Sequence, residues 1–387
     1  MKFTNTLKSS FIVTTLSLTL AACGGGTDSP DPPPPPPPPP PVVDYQVVIN
    51  DLISDEIPGI VLLVESAESR FIGSAGVSNL ETQQAMQVSD MMPTASTGKK
   101  MIALLAAQLA DEGVLNLDDT LDIWLSEDIL SRIPNSHQMT LRQLLNHTSG
   151  VFHYDEVDDG QAYISLLLSE PDVPKTDIDF IELIFDHPGY FLPGEGYQYS
   201  SSGYSLVALV LDKALGEHHS IAMRNRFFDP LGMTSTYYKG SEASMGDFIS
   251  GYLTTDEGDL FDTRPFLINA SEAGSTVISN VEDMATFFKT LMTDDSFVND
   301  AVKEMMLGED NRLDQGDEAF GIAKFTMNGY TGYAHAGLTF GYTAQSIYIP
   351  DTDTSIVLFF NCGNGGINAC STTFDGLIQT VTDEELK

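Results

Sequence analysis

The sequence predicts an α+β protein, in which an antiparallel sheet built from N- and C-terminal strands is flanked by helices and receives a mainly helical insertion. Two observations predict this class: strand-like apolar runs lie near both ends of the chain, whereas apolar residues at helical spacing dominate its middle. The chain has 387 residues, of which 42% are hydrophobic and 19% charged, so it is long enough for a large core. We expect one domain over residues 45–387, with the helical subdomain at roughly 100–270.

The segment before this domain resembles an export signal and a tether. Residues 1–22 contain a short apolar run after two lysines, and Leu20-Ala21-Ala22-Cys23 resembles a bacterial lipobox, in which the cysteine becomes the lipidated first residue. Residues 23–44 are rich in glycine and then proline, and ten consecutive prolines would form a stiff rod of about 30 Å. These features predict a protein that is anchored through Cys23 in the bacterial cell envelope and faces the periplasm or the exterior. An ordinary signal peptide with an incidental cysteine is the alternative.

The folded part shows strand patterns on both sides of the insertion. An apolar run that precedes or follows a short polar turn is typical of a strand in a hairpin. The predicted elements are a helix near residues 45–55, a strand pair at 59–65 and 70–75, a second hairpin at 342–349 and 355–360, and a terminal helix carrying Phe374, Leu377, Ile378 and Val381. Because the two hairpins come from opposite ends of the chain, we expect one sheet to join the chain ends.

Two cysteines remain in the folded part, Cys362 and Cys370, eight positions apart. An exported protein meets an oxidising compartment, so we predict a disulfide between them, with two free or buried thiols as the alternative. A zinc site is not expected there, because neither a nearby histidine nor a second cysteine pair supplies ligands.

The charge excludes one class of partner. The chain has 55 acidic and 18 basic residues and a formal net charge of −37. A field of that sign repels phosphate backbones, so no nucleic-acid partner is expected. A solvated acidic surface explains this charge more simply than an acidic binding site does.

A nucleophile is predicted at Ser96. The residues that follow it are apolar at helical spacing as far as Leu109, and Gly113 supplies a stop, so Ser96 lies at the start of a buried helix. Lys99 shares a face of that helix with Ser96 and can accept the hydroxyl proton where burial or a nearby cation lowers its pKa. The N–H groups at the helix start favour an oxyanion. On these residues alone, an N-capping serine beside an exposed lysine remains the alternative.

Five segments in order resemble the serine beta-lactamase and penicillin-binding-protein superfamily, in the branch that holds class C beta-lactamases, D-alanyl-D-alanine carboxypeptidases and family VIII esterases. They are Ser96-Thr97-Gly98-Lys99, residues 139–150, Pro193-Gly194 with Tyr199-Ser200-Ser201, Pro230-Leu231-Gly232-Met233, and His335-Ala336-Gly337. The resemblance extends from about residue 45 to the end of the chain, and it implies a beta-lactamase/transpeptidase-like fold.

The resemblance implies roles for individual residues. Ser96 would be the acylated nucleophile, with Lys99 as its base or proton relay. Tyr199 would pass protons between the nucleophile, the leaving group and the incoming water. The backbone N–H groups of Ser96 and Leu338 would form the oxyanion hole. We interpret His147 as part of a structural turn and not as a catalytic base.

Two positions depart from the family pattern. Ser201 stands where asparagine is usual, and a hydroxyl is shorter than an amide and lacks its second polar group. The segment His335-Ala336-Gly337 corresponds to the third motif of the family. Gly337 keeps the strand open to a substrate, and His335 can supply a charge or a hydrogen bond. Ala336 lacks the usual hydroxyl. Both departures weaken the recognition of amides and carboxylates, and therefore disfavour beta-lactamase activity.

The sequence thus predicts an envelope serine hydrolase that forms an acyl-enzyme on Ser96 with an ester or a D-amino-acid peptide, in the manner of a carboxylesterase or a D-alanyl-D-alanine carboxypeptidase. The alternatives are a catalytically silent relative that binds cell-wall fragments or a partner protein and, among enzymes, a beta-lactamase. The expected partner is a small-molecule or peptide acyl donor, and no obligate protein partner is implied. No metal or organic cofactor is implied either, because acyl transfer through serine needs none.

Overall fold

The computed structural model describes residues 43–242, 247–255, 258–311, 318–363 and 369–387. The predicted signal sequence, the predicted lipidation site Cys23 and all but the last two residues of the tether lie outside these residues. Within the described ranges, no helix combines the length and the apolar character needed to cross a membrane.

The described chain begins with a short helix and a strand hairpin. Helix α1 (Tyr45–Asp51) is capped by the Asp44 carboxylate, which accepts two backbone N–H groups of the first turn. Strand β1 (Gly59–Glu65) matches the predicted strand and pairs antiparallel with β2 (Arg70–Asn79). The helix ends earlier than predicted, because residues 54 and 57 form a β-bridge just after it. Strand β2 runs beyond the predicted strand, because its end pairs with a further short strand.

The middle of the chain is mainly helical, as predicted, with short strands between the helices. Its elements are β3 (Gln84–Ala85), β4 (Met92–Pro93), α2 (Lys99–Asp111), α3 (Glu127–Leu130), α4 (Leu141–Leu145), α5 (Gln161–Leu168), α6 (Asp177–Glu182), α7 (Ser201–Leu215), α8 (His219–Met223), β5 (Tyr237–Tyr238), β6 (Tyr252–Thr254), β7 (Leu260–Asp262), α9 (Arg264–Leu267), β8 (Val277–Ser279), α10 (Val281–Thr293) and α11 (Asp300–Leu307). Helix α7 ends at Gly216, whose φ of +72° suits glycine.

The C-terminal part returns to the sheet. It contains β9 (Glu318–Ala319), β10 (Ile322–Met327), β11 (Tyr330–Thr339), β12 (Tyr342–Ile349), β13 (Thr354–Phe360) and helix α12 (Ala369–Glu385). Among the described residues the largest sheet has eight strands in the order β3-β2-β1-β13-β12-β11-β10-β9. Strands β1 and β13 are antiparallel neighbours, so the sheet joins the two ends of the chain. The α+β class and the architecture predicted from the sequence are confirmed.

The sheet is covered on both faces, which explains why β1 is apolar throughout instead of alternating. Val61 and Leu63 belong to the core shared with the central helices. Ile60, Leu62 and Val64 belong to a second core, which α1 and α12 complete. Because successive strand residues point to opposite faces, a strand between two layers buries every side chain.

The terminal helix packs on this second core. Phe374, Leu377 and Val381 are buried, whereas Ile378 is only partly so. The structure joins the sulfur atoms of Cys362 and Cys370, with their Cα atoms 6.1 Å apart, which is the pairing that the sequence predicts. The bond ties the end of the strand region to the first turn of α12.

Candidate active site

Ser96 lies in a short 3₁₀ helix, Ala95–Gly98, that leads directly into α2. The sequence places it at the start of the helix, and the structure puts it one tight turn earlier. Thr94 anchors this turn, because both its N–H and its hydroxyl donate to the Val277 carbonyl, at 2.8 and 2.9 Å. Ala95 has a positive φ of 48°, so the backbone turns sharply just before the nucleophile. The Ser96 side chain is therefore held on a rigid support at the N-terminal end of a buried helix.

Two predicted side chains, those of Lys99 and Tyr199, converge at the Ser96 hydroxyl. Lys99 Nζ lies 2.9 Å from Ser96 Oγ, and the Tyr199 hydroxyl lies 2.9 Å from the same oxygen. Lys99 Nζ also donates to the Gly274 carbonyl at 2.8 Å, which fixes the direction of the amine. A nucleophile, a base and a third polar group within hydrogen-bond reach form the arrangement that activates a serine.

The environment of Lys99 suits it to act as a base. Its side chain is fully buried, and burial lowers the pKa of Lys99 to about 8 against the raising effect of the Glu318, Asp155 and Glu272 carboxylates. At neutral pH a useful fraction of the amine is therefore uncharged and can accept the Ser96 proton. In its neutral form the amine still has a hydrogen to donate to the Gly274 carbonyl, and its lone pair is then available for the Ser96 proton.

Tyr199 is held by an aromatic contact that the sequence analysis did not anticipate. The His147 ring lies 4.4 Å from the Tyr199 ring, at an angle of 31°. The Ser200 N–H donates to His147 Nδ1 at 3.1 Å, which leaves the hydrogen of a neutral imidazole on Nε2. These two contacts hold the His147 ring against Tyr199 and Ser200. Burial raises the pKa of Tyr199 well above its ordinary value, so the phenol stays protonated and can donate.

A carboxylate that sequence reasoning missed joins His147, in the segment 139–150, to His335, in the segment His335-Ala336-Gly337. Glu318 Oε1 lies 3.3 Å from His147 Nε2 and 2.6 Å from His335 Nε2, although the latter contact is not aligned as a hydrogen bond. Burial opposes the charge on Glu318, but the two imidazoles outweigh it and hold the pKa of this carboxyl well below its ordinary value. Nothing in the sequence singles out Glu318 among 55 acidic residues.

The third motif lies on β11 beside the nucleophile. A Cβ on Gly337 would come within 2.5 Å of the Thr94 carbonyl oxygen and 3.1 Å of Ser96 N, so only glycine fits this approach. His335 is buried behind it, and its Nδ1 contacts the Ala336 carbonyl. Leu338 remains 46% exposed at the edge of the site.

The predicted site residues line one cavity. It has a volume of about 670 Å³, and its wall includes Ser96, Tyr199, Ser201, His335, Gly337 and Leu338. Ser201 is buried at the first position of α7, with its side chain directed to the same cavity. The structure thus brings together residues that are as much as 242 positions apart in the sequence, from Ser96 to Leu338.

A family model described as Beta-lactamase matches residues 46–371, which is well over half of the chain. The chain belongs to the beta-lactamase family. Members of this family with this fold are serine hydrolases, among them penicillin-binding proteins, an esterase and D-amino acid amidases.

Relatives of this beta-lactamase-family chain carry names of different activities. Penicillin-binding protein 4* of Bacillus subtilis (strain 168) is 26% identical over 320 residues, which cover 78% of this chain and 67% of the relative. Lovastatin esterase of Penicillium rubens is 26% identical over 200 residues, or 47% of this chain and 49% of that protein. The chain therefore matches about two thirds of the first protein's length and about half of the second's.

Solved structures share the fold. A D-stereospecific amidohydrolase from Streptomyces sp. superposes with a TM-score of 0.70 at 24% identity, covering 82% of this chain and 94% of that chain. The D-amino acid amidase from Ochrobactrum anthropi SV3 complexed with L-phenylalanine gives a TM-score of 0.73 at 20% identity, covering 87% and 98% of the two chains.

A second buried lysine follows the first in this family member. Lys100 Nζ donates to the Thr97 carbonyl and to the Ser346 hydroxyl, both at 2.8 Å, and lies 4.7 Å from the centre of the Phe288 ring. Burial lowers the pKa of Lys100 to about 7. Its amine contacts β12 and not the Ser96 hydroxyl, so adjacent lysines have separate surroundings.

One group of possible metal ligands also emerges from the fold. Asp212, His218 and His219 bring one ligand atom each to within 4.8 Å of one another, although their sequence spacing is not that of a known metal motif. Protein hydrogen bonds already occupy several of these atoms. Asp212 Oδ1 lies 2.7 Å from His219 Nδ1, and His218 Nδ1 accepts the Ser220 N–H at 3.2 Å as a helix cap. We interpret the group as a packing and capping arrangement between α7 and α8.

Proposed function

We propose that this protein is a serine acyl hydrolase, which forms an acyl-enzyme on Ser96 with an ester or a D-amino-acid peptide or amide. The observation that carries the proposal is the contact of Lys99 Nζ with Ser96 Oγ, in surroundings that lower the lysine pKa to about 8. A merely N-capping serine would not need a buried amine beside it, because an exposed lysine costs less to place.

Acylation would use the three convergent side chains. The neutral Lys99 amine accepts the Ser96 proton while Oγ bonds to the acyl carbon, and the carbonyl electron pair moves to oxygen. The backbone N–H groups of Ser96 and Leu338 would receive the resulting oxyanion. As the intermediate collapses, the bond to the leaving group breaks and Tyr199 donates its proton to that group, with the Lys99 ammonium replacing the proton on the phenol.

Deacylation would reverse the direction of proton transfer. A water molecule gives one proton to the Lys99–Tyr199 pair and bonds to the acyl carbon. The bond to Ser96 Oγ then breaks, and Oγ recovers a proton from the same pair. The protonated phenol of Tyr199 is ready for this role because its pKa lies well above neutrality.

The departures from the family pattern bear on the substrate. Ser201 and Ala336 both line the cavity, where the asparagine amide and the hydroxyl of the usual motifs would stand. Their replacement supports esters and small aminoacyl donors over beta-lactams, whose recognition needs an amide partner and a carboxylate donor. The export signal and the lipid anchor at Cys23 stay predictions of the sequence.

The proposal is tested by covalent labelling of the full chain. We expect a fluorophosphonate probe to add once, at Ser96, and intact-mass spectrometry to show no adduct on Ser96→Ala, because the probe needs an activated serine oxygen. Ser126→Ala is the matched control, since Ser126 is exposed and makes no side-chain capping bond. Turnover of p-nitrophenyl esters, D-aminoacyl amides and penicillins by the unlabelled protein then ranks the substrates.

If the probe does not label a wild-type chain that circular dichroism shows to be folded, the result would contradict the proposal of a serine hydrolase. It would favour the silent relative that binds cell-wall fragments or a partner protein. Efficient penicillin turnover would instead support the beta-lactamase alternative.

The lowered pKa of Lys99 predicts a pH dependence. The uncharged amine is the active base, so the labelling rate constant should rise about tenfold per pH unit below pH 8 and level off above it. The measurement is the second-order rate constant of labelling from pH 6 to pH 9.5, with Ser126→Ala as the reference variant. A rate that is flat down to pH 6, or one that still rises steeply at pH 9.5, would exclude a base of this pKa.

A further inference from the structure

Ser96 opens to a second cavity, of about 410 Å³, in addition to the cavity that holds the third motif. Asp155, Ser201 and Leu338 line both cavities together with Ser96. Asp155 therefore lies in the immediate surroundings of the reacting acyl group, whichever cavity that group enters. The sequence analysis did not single out this residue.

The Asp155 carboxylate has no charged partner among the described residues within ion-pair distance. Its nearest basic group is His153, whose Nε2 lies 3.8 Å from Asp155 Oδ2. The His153 ring is neutral, because its Nδ1 accepts the Asp155 N–H at 3.2 Å and because burial lowers the pKa of His153 to about 3. The carboxylate stays accessible to a solute, with 46% of its side chain exposed. Desolvation and the nearby Glu272 carboxylate raise the pKa of Asp155 to about 7, so the group is mostly ionised at pH 7.5.

The charges around Ser96 are mainly negative. In the described ranges, neither cavity has a lysine or an arginine in its wall, whereas Asp159 also lines the second cavity and Asp375 lines the first. A substrate carboxylate would meet like charges there, because the Lys99 amine behind the cavity wall already contacts Ser96 Oγ and the Gly274 carbonyl. A substrate ammonium would supply the charge that Asp155 lacks.

Part of the wall of the second cavity is apolar. Ile164, Leu338 and Phe340 line it, and the Tyr163 ring stacks on Phe340 with centroids 5.6 Å apart. Ile164 and Phe340 also border a smaller cavity of about 150 Å³, whose other walls are almost wholly apolar. The cavity next to Ser96 therefore contains both a carboxylate and access to an apolar slot, the small cavity bordered by Ile164 and Phe340.

We propose that Asp155 selects acyl donors that carry an ammonium group near the scissile carbonyl and an apolar side chain, which enters the slot beside Phe340. This inference rests on the proposed function and specifies its substrate class. The ammonium group contacts the Asp155 carboxylate while Ser96 attacks the carbonyl. The apolar side chain moves out of water and packs against Ile164 and Phe340. Anionic acyl groups are selected against by the same carboxylates.

The experiment compares three methyl esters with one leaving group. They are methyl 3-amino-4-phenylbutanoate, whose amine is charged at pH 7.5, and its neutral N-acetyl and anionic N-succinyl derivatives, each in both configurations. With the full chain we expect kcat/KM to be about tenfold higher for the amine than for the N-acetyl ester, and lowest for the N-succinyl ester. In Asp155→Asn, kcat/KM for the amine ester should be within about threefold of kcat/KM for the N-acetyl ester. The change should come mainly from a higher KM for the amine ester.

Controls separate a local effect from the field of a protein with net charge −37. Asp128→Asn removes the same charge from an exposed helix position that lines neither cavity, and should keep the wild-type ratio. Repeating the series at about 0.5 M NaCl screens long-range attraction, and the ratio should largely persist. If no ester is turned over, protection of Ser96 from the fluorophosphonate probe ranks the same three compounds.

The outcomes are distinct. Equal kcat/KM or equal protection for the amine and its N-acetyl derivative overturns the inference while leaving Ser96 labelling, and hence the proposed function, intact. A loss in Asp155→Asn that is equal for both esters assigns Asp155 a structural role and also overturns it. Absence of labelling in the wild type overturns the proposed function and this inference together.

Discussion

Lys99→Met should lower kcat/KM by at least about 10³-fold for any ester that the wild type hydrolyses. The substitution keeps an apolar chain in the buried space but removes the base that lies 2.9 Å from Ser96 Oγ. The measurement is kcat/KM at pH 8.5, where the wild-type amine is mostly uncharged. Some stability should be lost too, about 1–3 kcal/mol, because the Gly274 carbonyl loses its donor.

Lys100→Met is the matched control for this prediction. The two lysines are adjacent and equally buried, yet Lys100 Nζ contacts Thr97 and Ser346 instead of the nucleophile. We expect activity within about threefold of the wild type and a loss of stability of about 1–3 kcal/mol, as for Lys99→Met, because the Thr97 carbonyl and the Ser346 hydroxyl lose their donor. Similar activity losses in both variants would mean that packing, and not a base, explains the effect at Lys99.

Tyr199→Phe should lower kcat/KM by about 10²-fold to 10³-fold while leaving the fold intact. The variant loses only the hydroxyl that lies 2.9 Å from Ser96 Oγ, and the ring contact with His147 remains available. Without the phenol, no group in this position delivers a proton to the leaving group. The loss should be larger for donors with poor leaving groups, such as amides, than for p-nitrophenyl esters.

Tyr204→Phe serves as the control here. Tyr204 is also a buried tyrosine near Lys99, but its hydroxyl donates to the Leu145 carbonyl at 3.0 Å. This variant should lose about 1 kcal/mol of stability and little activity. A Tyr199→Phe enzyme that hydrolyses esters and amides at wild-type rates would show that the proton reaches the leaving group by another route.

Local patterns predicted much of the fold. The bounds of β1 and β12 agree with the predicted strands because an apolar run between polar turns leaves few other structures possible. The ends of α1 and β2 were less predictable, since a β-bridge after the helix and pairing with β3 decide them. The coverage of both sheet faces was also open, because an apolar run does not show how many layers cover it.

For the candidate site too, some residues were predictable from the sequence and others were found only in the structure. Ser96 and Lys99 are three residues apart in a continuous run of 3₁₀ and α-helical turns, so the spacing alone places their side chains close together. Tyr199, Ser201, His335, Gly337 and Leu338 were assigned through the resemblance, and the structure gathers them around one cavity. Glu318 and Asp155 were missed because no local pattern distinguishes one carboxylate from the many others in an acidic chain.

The sequence by itself determined the class of fold, the candidate nucleophile with its lysine, and the cysteine pair, because each depends on neighbours close along the chain or on an ordered set of motifs. Only the tertiary structure decided which groups surround Ser96. Burial of Lys99, the contact of His147 with Tyr199, the charge on Glu318 and the unpaired carboxylate of Asp155 all depend on residues brought together from distant segments. Burial and charge at a site are sums over such neighbours, and these sums set the pKa values and the selectivity that the chemistry needs.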